Sequence, residues 1–172
     1  MKLFLLSCLF FLASPGTNNN NKETAEQVGT VVKIVDGDTF DLLTASKTTL
    51  RVRMYGIDCP EKKQDFYQSA KNALAAYIFK KNVQLKITGH DRNRRTIAMV
   101  YCNGQNINLA MIKNGFAWHF SKYSSDSSFA KAERQARMAR LGLWRKPGHI
   151  APWEFRKQRQ RVSQKLISDS RL

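Results

Sequence analysis

The sequence predicts an α+β fold, a small five-stranded β-barrel with three α-helices. Five short stretches of β-branched or alternating apolar residues crowd between Val28 and Tyr101. Three other stretches keep apolar residues at helical spacing, one of them between the third and fourth strands and two after the fifth. At 172 residues the chain suffices for one ordinary domain with modest extras, and its core needs neither disulfides nor a structural metal.

The elements follow in order. Leu3 to Ala13 is almost unbroken apolar sequence behind Met1 and Lys2 and before the small residues Ser14, Pro15 and Gly16. That run is too short to span a bilayer and suits the core of a signal peptide over residues 1–16, so the chain is expected to be exported, to a periplasm or the medium. Leu5-Leu6-Ser7-Cys8 also resembles a lipoprotein signal, but the apolar run continues past Cys8, which argues against anchoring there. Residues 17–27, with four asparagines in a row, read as a polar linker. Val28 to Val35 is the first strand. Phe40 and Leu42 mark the second, and Leu50, Val52 and Met54 the third. Val83, Leu85 and Ile87 give the fourth, and Ile97 to Tyr101 the fifth.

Phe66, Ala70, Ala73, Leu74 and Tyr77 form the first helical stripe, and Leu109 to Asn114 a short helix stopped by Gly115. The third helix runs from Ser128 to Gly142, with Asp126 or a neighbouring serine as its cap. The domain is thus placed at 28–145 and a basic C-terminal extension at 146–172. Arg156, Lys157, Arg159, Arg161 and Lys165 lie in that tail, with Trp153 and Phe155 at its start, and it reads as a solvated helical extension.

Charge bounds the partners. Lys and Arg number 29 against 13 acidic residues, a formal charge of +16, which selects polyanions and disfavours a small neutral ligand as main partner. Three cysteines, Cys8, Cys59 and Cys102, without a C-x-x-C pair or a Cys/His cluster, give no zinc or disulfide framework.

Against this basic background three blocks stand out. Asp36-Gly37-Asp38 is a turn whose Asp38 shares strand parity with Phe40 and Leu42, so its carboxylate is expected at the barrel rim, pointing inward. In Arg53-Met54-Tyr55-Gly56-Ile57-Asp58-Cys59-Pro60-Glu61, Arg53 has the parity opposite to the apolar row and its guanidinium leaves the core, while Asp58 and Glu61 follow the strand end at a Pro60 turn. Asp91-Arg92-Asn93-Arg94-Arg95 joins the fourth and fifth strands. Each block alone is equally an ordinary turn, ion pair or solvated loop. Together they hold the parts of a phosphodiester hydrolase. Asp38 and Asp58 oxygens suit a hard cation such as Ca2+, and the Cys59 carbonyl suits it where the sulfur does not. Glu61 can orient or deprotonate water, and Arg53 and Arg95 can hold a phosphate and offset charge in the transition state.

These segments, with Glu133 through Gly142-Leu143-Trp144, resemble the staphylococcal nuclease (thermonuclease) family in the same order and at similar spacing, over roughly Val28 to Trp144. The resemblance implies an OB-fold barrel that binds DNA and RNA, preferably single-stranded, and cleaves them with Ca2+ to 3′-phosphate ends at low sequence specificity. It implies Asp38, Asp58 and the Cys59 carbonyl as calcium ligands, with Asp36 nearby, and Arg53, Glu61 and Arg95 as catalytic residues. Cys59 stands where the founding member has Thr, and Arg94 where it has Gly, which leaves Arg94 and Arg95 both eligible as the second arginine. Tyr123 matches one of two nucleotide-contacting tyrosines, and Ser121 stands at the other.

The remaining candidates read as structural. His90, His119 and His149 are scattered, Trp118, Phe120 and Tyr123 read first as core and second as base-stacking surface, and a Cys59–Cys102 disulfide would have to link barrel mouth to turn tip. A rival of another class is a non-catalytic nucleic-acid-binding barrel, which has little reason to keep clustered acids that repel phosphate. A basic membrane-surface protein lacks the long amphipathic helix it needs outside the tail. No protein partner and no stable membrane span are implied, and a monomer is expected.

Overall fold

A computed structural model describes residues 25–169. The expected signal segment, Cys8 and nearly all of the expected linker lie outside the described residues. Five long strands form the barrel: β1 (Glu26–Ile34), β2 (Thr39–Thr44), β3 (Thr49–Met54), β5 (Asn82–His90) and β6 (Thr96–Cys102). Short two-residue strands accompany them: β4 (Ile57–Asp58), β7 (Gln105–Asn106) and β8 (Trp118–His119). The order β3-β2-β1-β5-β6 is antiparallel throughout, and a parallel pairing of β3 with β6, Val52 opposite Thr96, closes the cylinder. Register shifts in β1 between Val31 and Lys33, and in β5 between Ile87 and Gly89, mark the irregular positions that let long strands coil around a closed barrel.

The alternation read from the sequence is the alternation of burial. Val31, Phe40, Leu42, Val52, Leu85, Ala98 and Val100 are inaccessible. Each large side chain so buried contributes on the order of 1.5–3 kcal/mol. Helix α1 (Tyr67–Ile78) caps this core with Ala70, Leu74 and Ile78, α2 (Ile107–Lys113) with Met111 and Ile112, and α3 (Ser127–Met138) with Phe129 and Ala132. Asn106 caps α2 by accepting from the Leu109 N–H, and Asp126 caps α3 by accepting from the Ser128 N–H. Cys59 and Cys102 are buried free thiols.

A fourth helix, α4 (Pro152–Asp169), extends the expected three. Its later turns are exposed, as a solvated extension requires, but its first turn is docked. A second apolar cluster of Trp118, Ala136, Leu143, Trp144 and Ala151 receives it, with Trp153 packed against the edge. The Trp153 ring stacks on Phe120 at 5.1 Å and meets Trp118 edge-on at 5.6 Å. Among the described residues no helix is long and apolar enough to cross a membrane.

Gly37 matters for proximity more than for its torsion. A Cβ there would lie 2.8 Å from the Cys59 Cβ and 2.9 Å from the Ala70 Cβ, so the turn before β2 can press against β4's end and α1 only without a side chain. Gly37→Ala is therefore expected to cost about 1–3 kcal/mol by overpacking, read as a fall of several degrees in Tm. An unchanged melting curve would show that this contact yields at no cost.

Candidate active site

The turn between β1 and β2 is built to present Asp38. Val35 and Asp36 N–H groups donate to the Thr39 carbonyl, and the Asp36 carboxylate accepts the Asp38 N–H at 3.1 Å. Asp38 Oδ2 then accepts the Cys59 N–H at 2.8 Å and a guanidinium contact from Arg53 Nη1 at 2.9 Å, while Oδ1 accepts the Thr39 hydroxyl at 3.1 Å. Arg53 lies on β3 between the buried Val52 and Met54 and turns outward, as its parity requires. Its other fork atom, Nη2, donates to Asp58 Oδ1 at 2.8 Å, and Nη1 also reaches the Ile57 carbonyl at 2.9 Å. Asp58 is fixed by the β4–β8 pairing, where it faces Trp118. One guanidinium thus spans two carboxylates that are twenty positions apart in the chain, and both are almost completely buried.

Burial makes this negative pair costly. Removal from water pushes the Asp38 carboxyl up from 3.8 to about 8; Arg53 opposes the rise, and Asp36 and Asp58 add to it. Asp58 is raised by the same desolvation, against the pull of Arg156 and Arg53. For Arg53, burial works against its charge, and Asp38 and Asp58 outweigh it, so the guanidinium is held charged more firmly than usual. Desolvation and Asp38 together drive the Cys59 thiol well above its ordinary range. A protonated, buried sulfur is a poor cation ligand, which leaves the Cys59 backbone as the only suitable donor at that residue.

Glu61 follows at the Pro60 turn, a third exposed, with its backbone N–H bound to Gln64 Oε1 at 2.8 Å. Its carboxylate is joined to the pair by a residue that sequence reasoning left in the solvated tail. Arg156 of α4 donates from Nη1 to Glu61 Oε1 at 2.5 Å and from Nη2 to Asp58 Oδ2 at 2.8 Å. The only sequence signal was the pair Pro152-Trp153 opening a basic run, which marks a docked helix start but not which arginine turns inward.

Arg95 is not brought into contact with these acids. Its Nε donates to Asp91 Oδ2 at 2.7 Å within its own loop. Burial is the largest single influence on the Asp91 carboxyl and raises it, but the hydrogen bonds and charge of Arg95 together with the Asn93 N–H outweigh it and hold the carboxyl below its usual range. Arg95 immediately precedes β6, the strand that pairs with the strand of Arg53, Ile97 standing opposite Arg53. Arg94 takes a left-handed φ of 59°, the conformation that a Gly would supply, and is exposed. Asp91 Oδ1 steadies that turn by accepting the N–H groups of Asn93 and Arg95.

The aromatic and imidazole groups divide. Trp118 is core, whereas Tyr123 is exposed and meets Phe120 edge-on at 4.8 Å. His119 is buried, with Nε2 2.9 Å from the Ser124 carbonyl oxygen, and His149 packs edge-on against Trp144.

Among the described residues no three His, Cys, Asp or Glu side chains assemble into a ready cation cluster. Asp38 and Asp58 instead offer two buried carboxylates, hard oxygens whose charge is met by Arg53 and, at Asp58, by Arg156 as well. Such a set fits a hard divalent cation better than a thiophilic one.

A search across protein families matches residues 51–146, more than half of the chain, to the family described as Staphylococcal nuclease homologue. The chain belongs to the staphylococcal nuclease family. It is 40% identical over 157 residues to a Haemophilus influenzae protein named as an uncharacterized endonuclease, covering 91% of this chain and 86% of that one. It is 39% identical over 140 residues to the micrococcal nuclease of Shigella flexneri, covering 75% of this chain and 80% of that one. The closed barrel is the OB-fold of the staphylococcal nuclease family, and membership makes nucleic acid the substrate class.

Because Asp38 titrates near 8 when folded and at 3.8 when exposed, the folded chain binds the extra proton between those values. Its contribution to stability is fully present below the lower value and is lost as pH rises through the higher one. Asp38→Asn should thus raise Tm in chelator, by at least ~4 °C at about pH 8 and by less at about pH 5. A gain that is equal at both pH values would contradict the burial of an ionising carboxyl at this position.

Proposed function

We propose that this chain is a calcium-dependent nuclease that hydrolyses DNA and RNA with low sequence specificity, preferring single strands and leaving 3′-phosphate ends. The observation that carries the reading is the junction of Asp38 and Asp58 on one guanidinium, with Glu61 joined to Asp58 through a second. Clustered buried acids are a liability for a simple polyanion binder and an asset only where a cation stands between them and a phosphate.

In this reading Asp38, Asp58 and the Cys59 carbonyl hold Ca2+, which when bound polarises a phosphoryl oxygen. Glu61 orients the attacking water and accepts its proton. Water oxygen bonds to phosphorus as the bond to the 5′-oxygen breaks; the 5′-oxygen departs with the electron pair, takes a proton from solvent to become a hydroxyl, and phosphate stays on the 3′ side. Arg53, whose planar fork already matches two carboxylates, presents the same fork to phosphate oxygens, and Arg95 joins it by leaving Asp91. The developing negative charge is thereby met by groups already in place, and an oriented donor of this kind is worth roughly 10²–10³ in rate. Exposed Tyr123 beside Phe120 offers a surface on which a splayed base can stack. Net charge of +16 supports fast encounter and an affinity that falls with salt. Export of a monomer, on the apolar run from Leu3 to Ala13, belongs to the same proposal.

Hydrolysis of heat-denatured DNA should proceed with Ca2+ and fall by at least ~10²-fold in chelator, a loss of the size expected for removal of an electrostatic catalyst. End-labelling should find phosphate on the 3′ end of the products. Equal rates with and without chelator would remove the cation from the mechanism, and 3′-hydroxyl products would reverse the assigned leaving group.

A further inference from the structure

Arg156 is the member of the charged cluster that follows the matched family segment, residues 51–146, as Asp38 precedes it. Its position is not that of a side chain resting on a surface. Ala151 and Pro152 are buried, Trp153 is stacked on Phe120, and Gln64, which holds the Glu61 backbone N–H, donates its side-chain N–H to the Ile150 carbonyl at 3.0 Å. The start of α4 is thus tied to the Glu61 turn on one side and to the aromatic cluster on the other. One helical turn after Pro152, the guanidinium of Arg156 reaches Glu61 with one arm and Asp58 with the other.

We propose that Arg156 is a positioning residue of the active site: it holds the Glu61 carboxylate in one conformation beside Asp58, so that the catalytic unit of this chain extends into α4. The inference rests on the reading of Glu61 as the carboxylate that handles water. Glu61 stands on a turn, is a third exposed and has several free torsions, and like charge on Asp58 pushes it outward. A two-armed guanidinium reverses that push and fixes both carboxylates in relative orientation, which a single-point ammonium does less well. Preorganisation of this kind acts on turnover more than on substrate affinity.

A double-mutant cycle tests it, with kcat and KM measured on a single-stranded oligonucleotide in Ca2+ for the parent, Arg156→Ala, Glu61→Gln and the pair. Lys157→Ala serves as control, since it removes the same charge from the same helix and its partner is Glu154. Arg156→Ala is expected to lower kcat about tenfold or more, to change KM less than about threefold, and to add almost nothing once Glu61 is Gln. Arg156→Lys should restore part of kcat, and it carries the cycle if the alanine variant does not fold. A crystal structure of Arg156→Gln should show Glu61 turned away or spread over conformers. A rise in KM with kcat unchanged, or a loss of equal factor in the Glu61→Gln background, would overturn the proposal in favour of direct phosphate binding. Increased kcat would overturn it in favour of an arginine that obstructs the site. If Glu61→Gln itself turns over like the parent, the role of Glu61 fails first and this inference falls with it.

Discussion

Two carboxylates placed face to face at the mouth of a barrel, both cut off from water, repel each other and lose hydration at once. The Arg53 guanidinium answers both costs, because its planar fork donates one arm to Asp38 and one to Asp58. Much of the surrounding architecture serves that junction. Closure of β3 on β6 fixes the strand that carries Arg53, the Asp36–Thr39 turn presses Asp38 into place, and β4 pairs with β8 to set Asp58. Gly37 has no side chain because Cys59 and α1 come too close to admit one.

Much of this was legible in the chain. β-branched runs and period-two alternation together identified all five long strands, and parity alone sent Arg53 outward between Val52 and Met54. Asp126 or a neighbouring serine was expected to cap α3, and the structure selects Asp126. Arg156 was not legible, since basic residues at 156, 157, 159 and 161 look alike in sequence and only tertiary docking distinguishes the one aimed at Asp58. Its partners lie more than ninety positions away, beyond the reach of any local pattern. Arg95 shows the opposite limit. The motif leaves Arg94 and Arg95 both eligible, and the structure bonds the Arg95 Nε to Asp91 in its own loop. Neighbouring Arg94 adopts the left-handed torsion that its identity argues against, because Asp91 gathers two backbone N–H groups around the turn.

Charge works at two length scales in this molecule. Over the whole chain the excess of Lys and Arg draws polyanions in, whereas at the barrel mouth three acids are linked through two arginines. A phosphate arriving under the long-range field meets local repulsion unless the acids are neutralised. Arginine does this in the structure described, and on the proposed reading a divalent cation shares the task during turnover. Arg53 and Arg156 are then released, in part, to face phosphate and Glu61 respectively.

That exchange is most directly examined by anomalous diffraction from crystals of the full chain soaked in Ca2+. The account predicts a single strong peak bonded to the carboxylates of Asp38 and Asp58 and to the carbonyl oxygen of Cys59, with the Arg53 fork moved from its contact with at least one of the two. Absence of a peak at saturating Ca2+, or a peak placed away from both aspartates while Arg53 keeps its two contacts, would contradict it.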